Sequence, residues 1–226
     1  MKYNNILQGK FISRPNRFIA YVEINNKIEI CHVKNTGRCR ELLTPSATVF
    51  VEENDNPKRK TKFSLIGVIK ENRMINMDSQ VTNKVVKEWI LRGNLFKELT
   101  LLKPETKYKN SRFDFYVETK NKKAFIEVKG VTLEEEGIVR FPDAPTERGV
   151  KHINELCECI QEGYDAYIIF VIQMKDVLYF EPNVKMHKEF AEALKKAKKY
   201  GMNILAVDCE VTEDSINIKD YVKVII

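Results

Sequence analysis

The residues best suited to chemistry lie in one stretch, SRFDFYVETKNKKAFIEVKG (111–130). Two runs of alternating apolar residues flank a tight polar turn centred on Lys120-Asn121, the pattern of a β-hairpin. A turn symmetric about that pair opposes residues whose numbers sum to 241, setting Glu118 against Lys123 and Asp114 against Glu127. Side chains alternate along a strand, so Lys129 projects to the same side as Glu127. Phe113, Phe115, Val117, Ala124, Ile126 and Val128 are assigned to the other, core-facing side. Two carboxylates about 5 Å apart repel one another unless a cation sits between them. Their hard oxygens suit Mg²⁺ or Mn²⁺. Such an ion beside an ammonium group can hold a phosphate, lower the pKa of an attacking water and offset charge in the transition state. Asp114, Glu127 and Lys129 are therefore the candidate catalytic residues, the two acids as metal ligands. The competing reading is a solvated hairpin with alternating charges. Facing acids with a lysine at i+2 favour the site.

Further candidates stand in FPDAPTERGVKHINEL (141–156). Thr146 can cap a helix, and Arg148 beside Gly149 could approach a phosphate near its N-terminus. His152 and Glu155 share a helix face; His152 is either a neighbour of the phosphate or metal, or a structural histidine. Asp143 is read as a turn cap. In the N-terminal part, NTGRCR (35–40) offers Arg38 and Arg40 as phosphate contacts. DNPKRKTK (55–62) adds Lys58, Arg59, Lys60 and Lys62 in a loop between strands. Phe18, Tyr21 and Phe50 are base-stacking faces or core residues.

The elements that must position these residues change character near residue 80. Before it, alternating runs at 17–24, 27–33, 47–52, 62–70 and 73–77 read as five short strands, the first two joined by Asn25-Asn26. Five such strands suggest a five-stranded OB-like barrel, a fold that commonly binds oligonucleotides. After it, residues 83–92 read as a helix with Asn83 near its start and Gly93 after its end. The hairpin follows, then a helix from Thr146 to Gly163, a buried strand at 166–172, a helix at 186–199 and a strand at 204–209. Helices alternating with apolar strands indicate an α/β domain. The expected domains are 1–80 and 81–226.

Charge follows the same division. The chain has 226 residues and a formal net charge of +6. Residues 1–80 hold 14 Lys and Arg against 8 Asp and Glu, whereas residues 81–226 hold 24 of each. A polyanion partner for the N-terminal part fits this asymmetry. No run approaches the roughly 18 apolar residues of a membrane span, and MKYNNILQGK lacks the apolar core of a signal peptide. A cytoplasmic, reducing location is expected. Cys31, Cys39, Cys157, Cys159 and Cys209 then read as buried thiols, and His152 near a lone C-x-C is a poor zinc signal.

The D-x12-E-x-K spacing of Asp114, Glu127 and Lys129 resembles the PD-(D/E)xK nuclease superfamily, without the proline that often precedes the aspartate. More specifically, NTGRCRELLTP (35–45), DNPKRKT (55–61), SRFDF (111–115), EVKGVTL (127–133) and FPDAPTERGVKHINEL (141–156) resemble the sugar fermentation stimulation protein A (SfsA) family, from about residue 14 to 209. Cys39 departs from the methionine usual after NTGR. The resemblance implies an OB-like barrel followed by a restriction-endonuclease-like α/β domain, DNA binding, and in some members nuclease activity. It further implies Glu88, on the first helix, as one more metal ligand, and Gln173 as support for the lysine. The expected function is Mg²⁺- or Mn²⁺-dependent cleavage of DNA, with RNA as an alternative substrate and a homodimer left open. The rival is a non-catalytic DNA-binding regulator of sugar (maltose) metabolism genes on the same fold. A small-molecule sensor has no supporting motif, neither a Gly-rich phosphate loop nor a nucleophile elbow.

Overall fold

Asn25 and Asn26 adopt positive φ angles of 50° and 62°, the pair of left-handed residues that a tight type I′ hairpin needs. They join β2 (Ile19–Ile24) to β3 (Lys27–Val33) in a computed structural model that describes residues 1–35 and 37–226. Thr36, within the NTGRCR motif, lies outside the described residues. Around this hairpin stand β1 (Ile6–Asn16), β4 (Thr48–Glu53), β5 (Phe63–Lys70) and β6 (Arg73–Asn76). β1 pairs with β2 and β4, β4 with β5, and β5 returns to β3, which closes a five-stranded OB barrel; β6 adds to β5 outside the ring. The barrel is the expected one, but its strand list needs a correction. The run at 73–77 is the appended strand, and the true first strand, β1, carries no clear alternation. Register shifts at Phe11/Ser13 and Ser13/Asn16 bulge β1 against β2. Gly9 is there because a Cβ would lie 2.6 Å from Val22 Cγ1.

The second half begins with α1 (Val81–Leu91), β7 (Leu99–Tyr108), β8 (Ser111–Thr119) and β9 (Lys123–Val131). A small sheet of β10 (Glu134–Glu135), β11 (Ile138–Phe141) and β13 (Tyr179–Pro182) surrounds α2 (Glu147–Gln161) and β12 (Asp165–Ile172) in the chain. Then come α3 (Lys188–Lys199), β14 (Asn203–Val211) and β15 (Ile216–Val222). The main sheet runs β15-β14-β12-β9-β8-β7, with β9, β12 and β14 parallel. Ile169 and Val171 pack towards α1, whereas Ile168, Phe170 and Ile172 pack towards α2 and α3. Cover on both faces explains the unbroken apolar run of β12. β7 escaped the sequence pattern because it is an edge strand carrying Lys103, Pro104, Glu105 and Lys107, residues that blunt an edge and read as loop. Among the described residues no helix is long and apolar enough to cross a membrane.

The barrel is tied to the sheet by hydrogen bonds. Asn76 N–H donates to the Gln173 carbonyl at 2.9 Å, and Gln173 Nε2 donates to Asn76 Oδ1 at 2.9 Å and the Asp78 carbonyl at 3.0 Å. Lys70 and Arg73 of the barrel both pair with Glu134, at 2.7 and 3.0 Å. The loop after β3 makes the third link. Arg14 donates to the carbonyls of Arg17, Asn35, Gly37 and Arg38, between 2.7 and 2.9 Å, and so gathers the loop around one guanidinium. The loop then docks through Arg38 N–H on Asp143 Oδ2 at 2.9 Å. A Cβ on Gly37 would overlap that Asp143 oxygen. Gly37→Ala is therefore expected to cost about 1–2 kcal/mol and lower the thermal midpoint by roughly 2–8 °C, read by calorimetry.

Candidate active site

The turn register expected from the sequence is the one β8 and β9 adopt, with Glu118 opposite Lys123, Val117 opposite Ala124, Tyr116 opposite Phe125 and Phe115 opposite Ile126. Asp114 and Glu127 come next, and there the ladder stops. The Asp114 carboxylate takes the place of the backbone acceptor: Oδ2 accepts the Val128 N–H at 2.7 Å. Its Oδ1 accepts from Asn83 Nδ2, also at 2.7 Å, on the first turn of α1. Freed from its partner strand, β8 also loses alternation at this point. Phe113, expected beside Phe115 and Val117, instead packs on the α2 side with Tyr108, Phe125 and His152.

Glu127 is buried, with 3% of its surface exposed. Its Oε1 contacts Lys129 Nζ and lies 2.6 Å from His152 Nδ1. Its Oε2 is buried and has no hydrogen-bond partner among the described residues. Burial and the charge of Glu127 push the Asp114 carboxyl up to about 6, against the pull of Val128 N–H, Asn83 and Lys129. Burial also pushes Glu127 upward, but the His152 hydrogen bond and the Lys129 charge outweigh it and hold this carboxyl below its ordinary value. Two facing acids driven apart in this way are a signature of functional carboxylate pairs.

One lysine neutralises one of the two acids. The second negative charge and the bare Glu127 oxygen are what a divalent cation would satisfy. Among the described residues there is no group of three His, Cys, Asp or Glu side chains poised to enclose a metal. The donor set is two carboxylates, which matches a cation that keeps its waters and takes further oxygens from a phosphate, as Mg²⁺ does.

Other candidates divide. Arg148 and His152 join the cluster: Arg148 Nε donates to His152 Nε2 at 3.3 Å. Thr146 caps α2 by accepting the Gly149 N–H at 3.1 Å. Glu88 stays away, a correction to the expected ligand set, because its carboxylate accepts from the Met1 ammonium at 2.8 Å. The α1 residue that reaches the acids is Asn83, which the sequence suggested only as a helix-start residue. Gln173 serves the barrel contact described above; its buried Oε1 makes no hydrogen bond among the described residues, to Lys129 or to any other group, and lies against Gly130, where a Cβ would sit 2.6 Å from it. Arg38 and Arg40 are exposed and line a cleft of about 740 Å³ between the docked loop and the β10–β11–β13 sheet. Lys58 and Lys60 are exposed in the β4–β5 loop, but Arg59 braces that loop, donating to Asn54 Oδ1 at 3.0 Å and Ser64 Oγ at 2.7 Å. Phe50 is 2% exposed and belongs to the core against α1, while Phe18 is 45% exposed under the Arg17 guanidinium.

Two family models account for nearly this whole arrangement: the SfsA N-terminal OB domain matches residues 12–77, and the sugar fermentation stimulation protein RE domain matches residues 80–215. The chain belongs to the SfsA family. Among SfsA relatives, a sugar fermentation stimulation protein homolog of Clostridium beijerinckii is 77% identical over 226 residues, covering 100% of both chains. A homolog of Ruminiclostridium cellulolyticum is 65% identical over 224 residues, covering 99% of each. The structure of Pyrococcus furiosus SfsA in complex with Ca²⁺ superposes with a TM-score of 0.92 at 28% identity, covering 100% of this chain and 98% of that one. Two SfsA-like stretches far apart in sequence, NTGRCR and FPDAPTERG, meet in space where Arg38 docks on Asp143.

Proposed function

We propose that this protein is a divalent-metal-dependent nuclease acting on DNA, with Asp114 and Glu127 as metal ligands and Lys129 beside the attacking water. The observation that carries this reading is the bare, buried Glu127 Oε2 next to a second acid and a lysine on one hairpin. The PD-(D/E)xK-like spacing of the three residues supports it. So does the Ca²⁺ described with the Pyrococcus furiosus relative, a hard cation with the oxygen preference of Mg²⁺ and Mn²⁺. When bound, Mg²⁺ or Mn²⁺ supplies polarisation of a phosphate and a more acidic water.

The chain's own groups do the rest. Asn83 and Val128 N–H hold Asp114 in place. Lys129, only partly exposed, can leave Glu127 to orient the water or offset the charge that grows on the phosphate. Arg38 and Arg40 on the cleft wall provide the electrostatic grip on the DNA backbone.

The test is incubation of labelled single- and double-stranded DNA and RNA with Mg²⁺, Mn²⁺ or EDTA. Products are expected from DNA with either metal and from neither strand form in EDTA. Binding without product under every metal condition would support the non-catalytic regulator in its place.

A further inference from the structure

His152 has an environment that neither a solvated nor a purely packed histidine needs. Its ring is 4% exposed and stands edge-on to Phe113, with centroids 5.9 Å apart at 80°. Both nitrogens are engaged, and by partners of opposite kind. Nε2 accepts the Arg148 Nε–H at 3.3 Å, so it presents its lone pair. Nδ1 therefore carries the hydrogen and donates it to Glu127 Oε1 at 2.6 Å. Arg148, one turn before His152 on α2, is exposed, and its two terminal nitrogens make no hydrogen bond among the described residues.

We infer that His152 is a positioning residue that orients Glu127 through Nδ1 and Arg148 through Nε2, so that one buried ring sets both a metal-facing carboxylate and a phosphate-facing guanidinium. Resting on the nuclease reading above, this adds a second contact point on the substrate. Arg148 lies across the imidazole from Glu127, so it meets a phosphate neighbouring the scissile one, in a charge-assisted contact that fixes the strand without taking part in bond breaking. Glu127 in turn keeps its buried Oε2 bare, because the ring and Lys129 engage Oε1 alone. Groups that orient metal ligands in this way are worth about 10–100-fold in metal affinity.

The experiment compares Mn²⁺ affinity, measured by calorimetry, with steady-state DNA cleavage for wild type, His152→Asn, His152→Gln and Arg148→Ala. An asparagine amide nitrogen falls near the place of Nδ1, whereas a glutamine amide, though closer to histidine in size, falls near Nε2. His152→Gln is expected to weaken Mn²⁺ binding about 10–100-fold and His152→Asn to keep most of the affinity. Arg148→Ala is expected to keep Mn²⁺ affinity, to raise KM with the loss borne there and not in kcat, and to flatten the salt dependence of DNA binding by about one unit of slope. If glutamine equals or exceeds asparagine, the ring matters only as filler and the inference is overturned. If Arg148→Ala changes neither KM nor the salt slope, the phosphate contact is overturned. A wild type that binds no Mn²⁺ removes the metal site itself, a failure distinct from either of these.

Discussion

Asp114→Asn is expected to lower metal-dependent DNA cleavage by about 10³-fold or more while leaving the protein folded. The substitution keeps the shape of the site. The Asn carbonyl oxygen can still accept the Val128 N–H, and Asn83 can turn its amide to offer oxygen to the new NH₂ group. What is lost is one of the two negative charges that define the site. Lys129→Ala should reach a similar loss by another route, since it deletes the only ammonium in contact with Glu127 among the described residues. Because the two side chains act on one phosphate, the double variant should be little worse than the poorer single variant, the behaviour of groups that work as a unit. Single-turnover rates with saturating Mg²⁺ give the comparison, and DNA affinity in EDTA supplies the control. Full Mg²⁺-dependent cleavage by Asp114→Asn would sink the nuclease reading.

The hairpin was legible because two independent regularities, the period of two and the symmetry of the turn, agree on one register. The same logic failed where the strand stops obeying it. Phe113 lies two residues beyond the last ladder pair, and its side chain went to the opposite face once Asp114 replaced the backbone acceptor. β1 and β7 were hidden for related reasons, one bulged and the other a charged edge, so neither presents a clean apolar face. Within the site, the sequence marked residues by chemical type and missed those that matter by reach. Glu88 has the right chemistry but its carboxylate is held by Met1, five residues along α1 from Asn83, which has the modest chemistry and the right place. His152 could not be resolved from sequence between a site neighbour and a structural residue. Its role depends on α2 crossing β9 so that Nδ1 meets Glu127, a contact 25 residues apart in the chain. The barrel's closure by β3 and β5 is likewise a long-range pairing that no local pattern announces.

In EDTA, wild-type protein is expected to lose stability as pH rises through about 6, and Asp114→Asn is expected not to. The Asp114 carboxyl has an ordinary value of 3.8 and is pushed up to about 6 in the folded chain. A raised value means that the folded state prefers the protonated acid. The associated stability is complete below the ordinary value and disappears as pH climbs through the folded one. Glu127 works in the opposite sense: its value is lowered, so its contribution is present above the ordinary carboxylate range and is lost only in stronger acid. The window between about pH 4 and 6 therefore belongs to Asp114, with a swing on the order of 2–3 kcal/mol. Urea denaturation at several pH values, taken as the difference between wild type and variant, isolates it from the other titrating groups. Adding Mg²⁺ or Mn²⁺ at about 100 times its dissociation constant should return roughly 2.7 kcal/mol to wild type. That gain should grow through the same pH window, because binding requires the ionised carboxylate. Equal pH slopes for wild type and Asp114→Asn would place the strain elsewhere. Parallel recovery of both by metal would mean that the cation does not sit between these two acids. The expected pattern ties the two properties together: the burial of Asp114 beside the charge of Glu127, which weakens the metal-free fold, is the same arrangement that would draw a divalent cation and a phosphate to the hairpin.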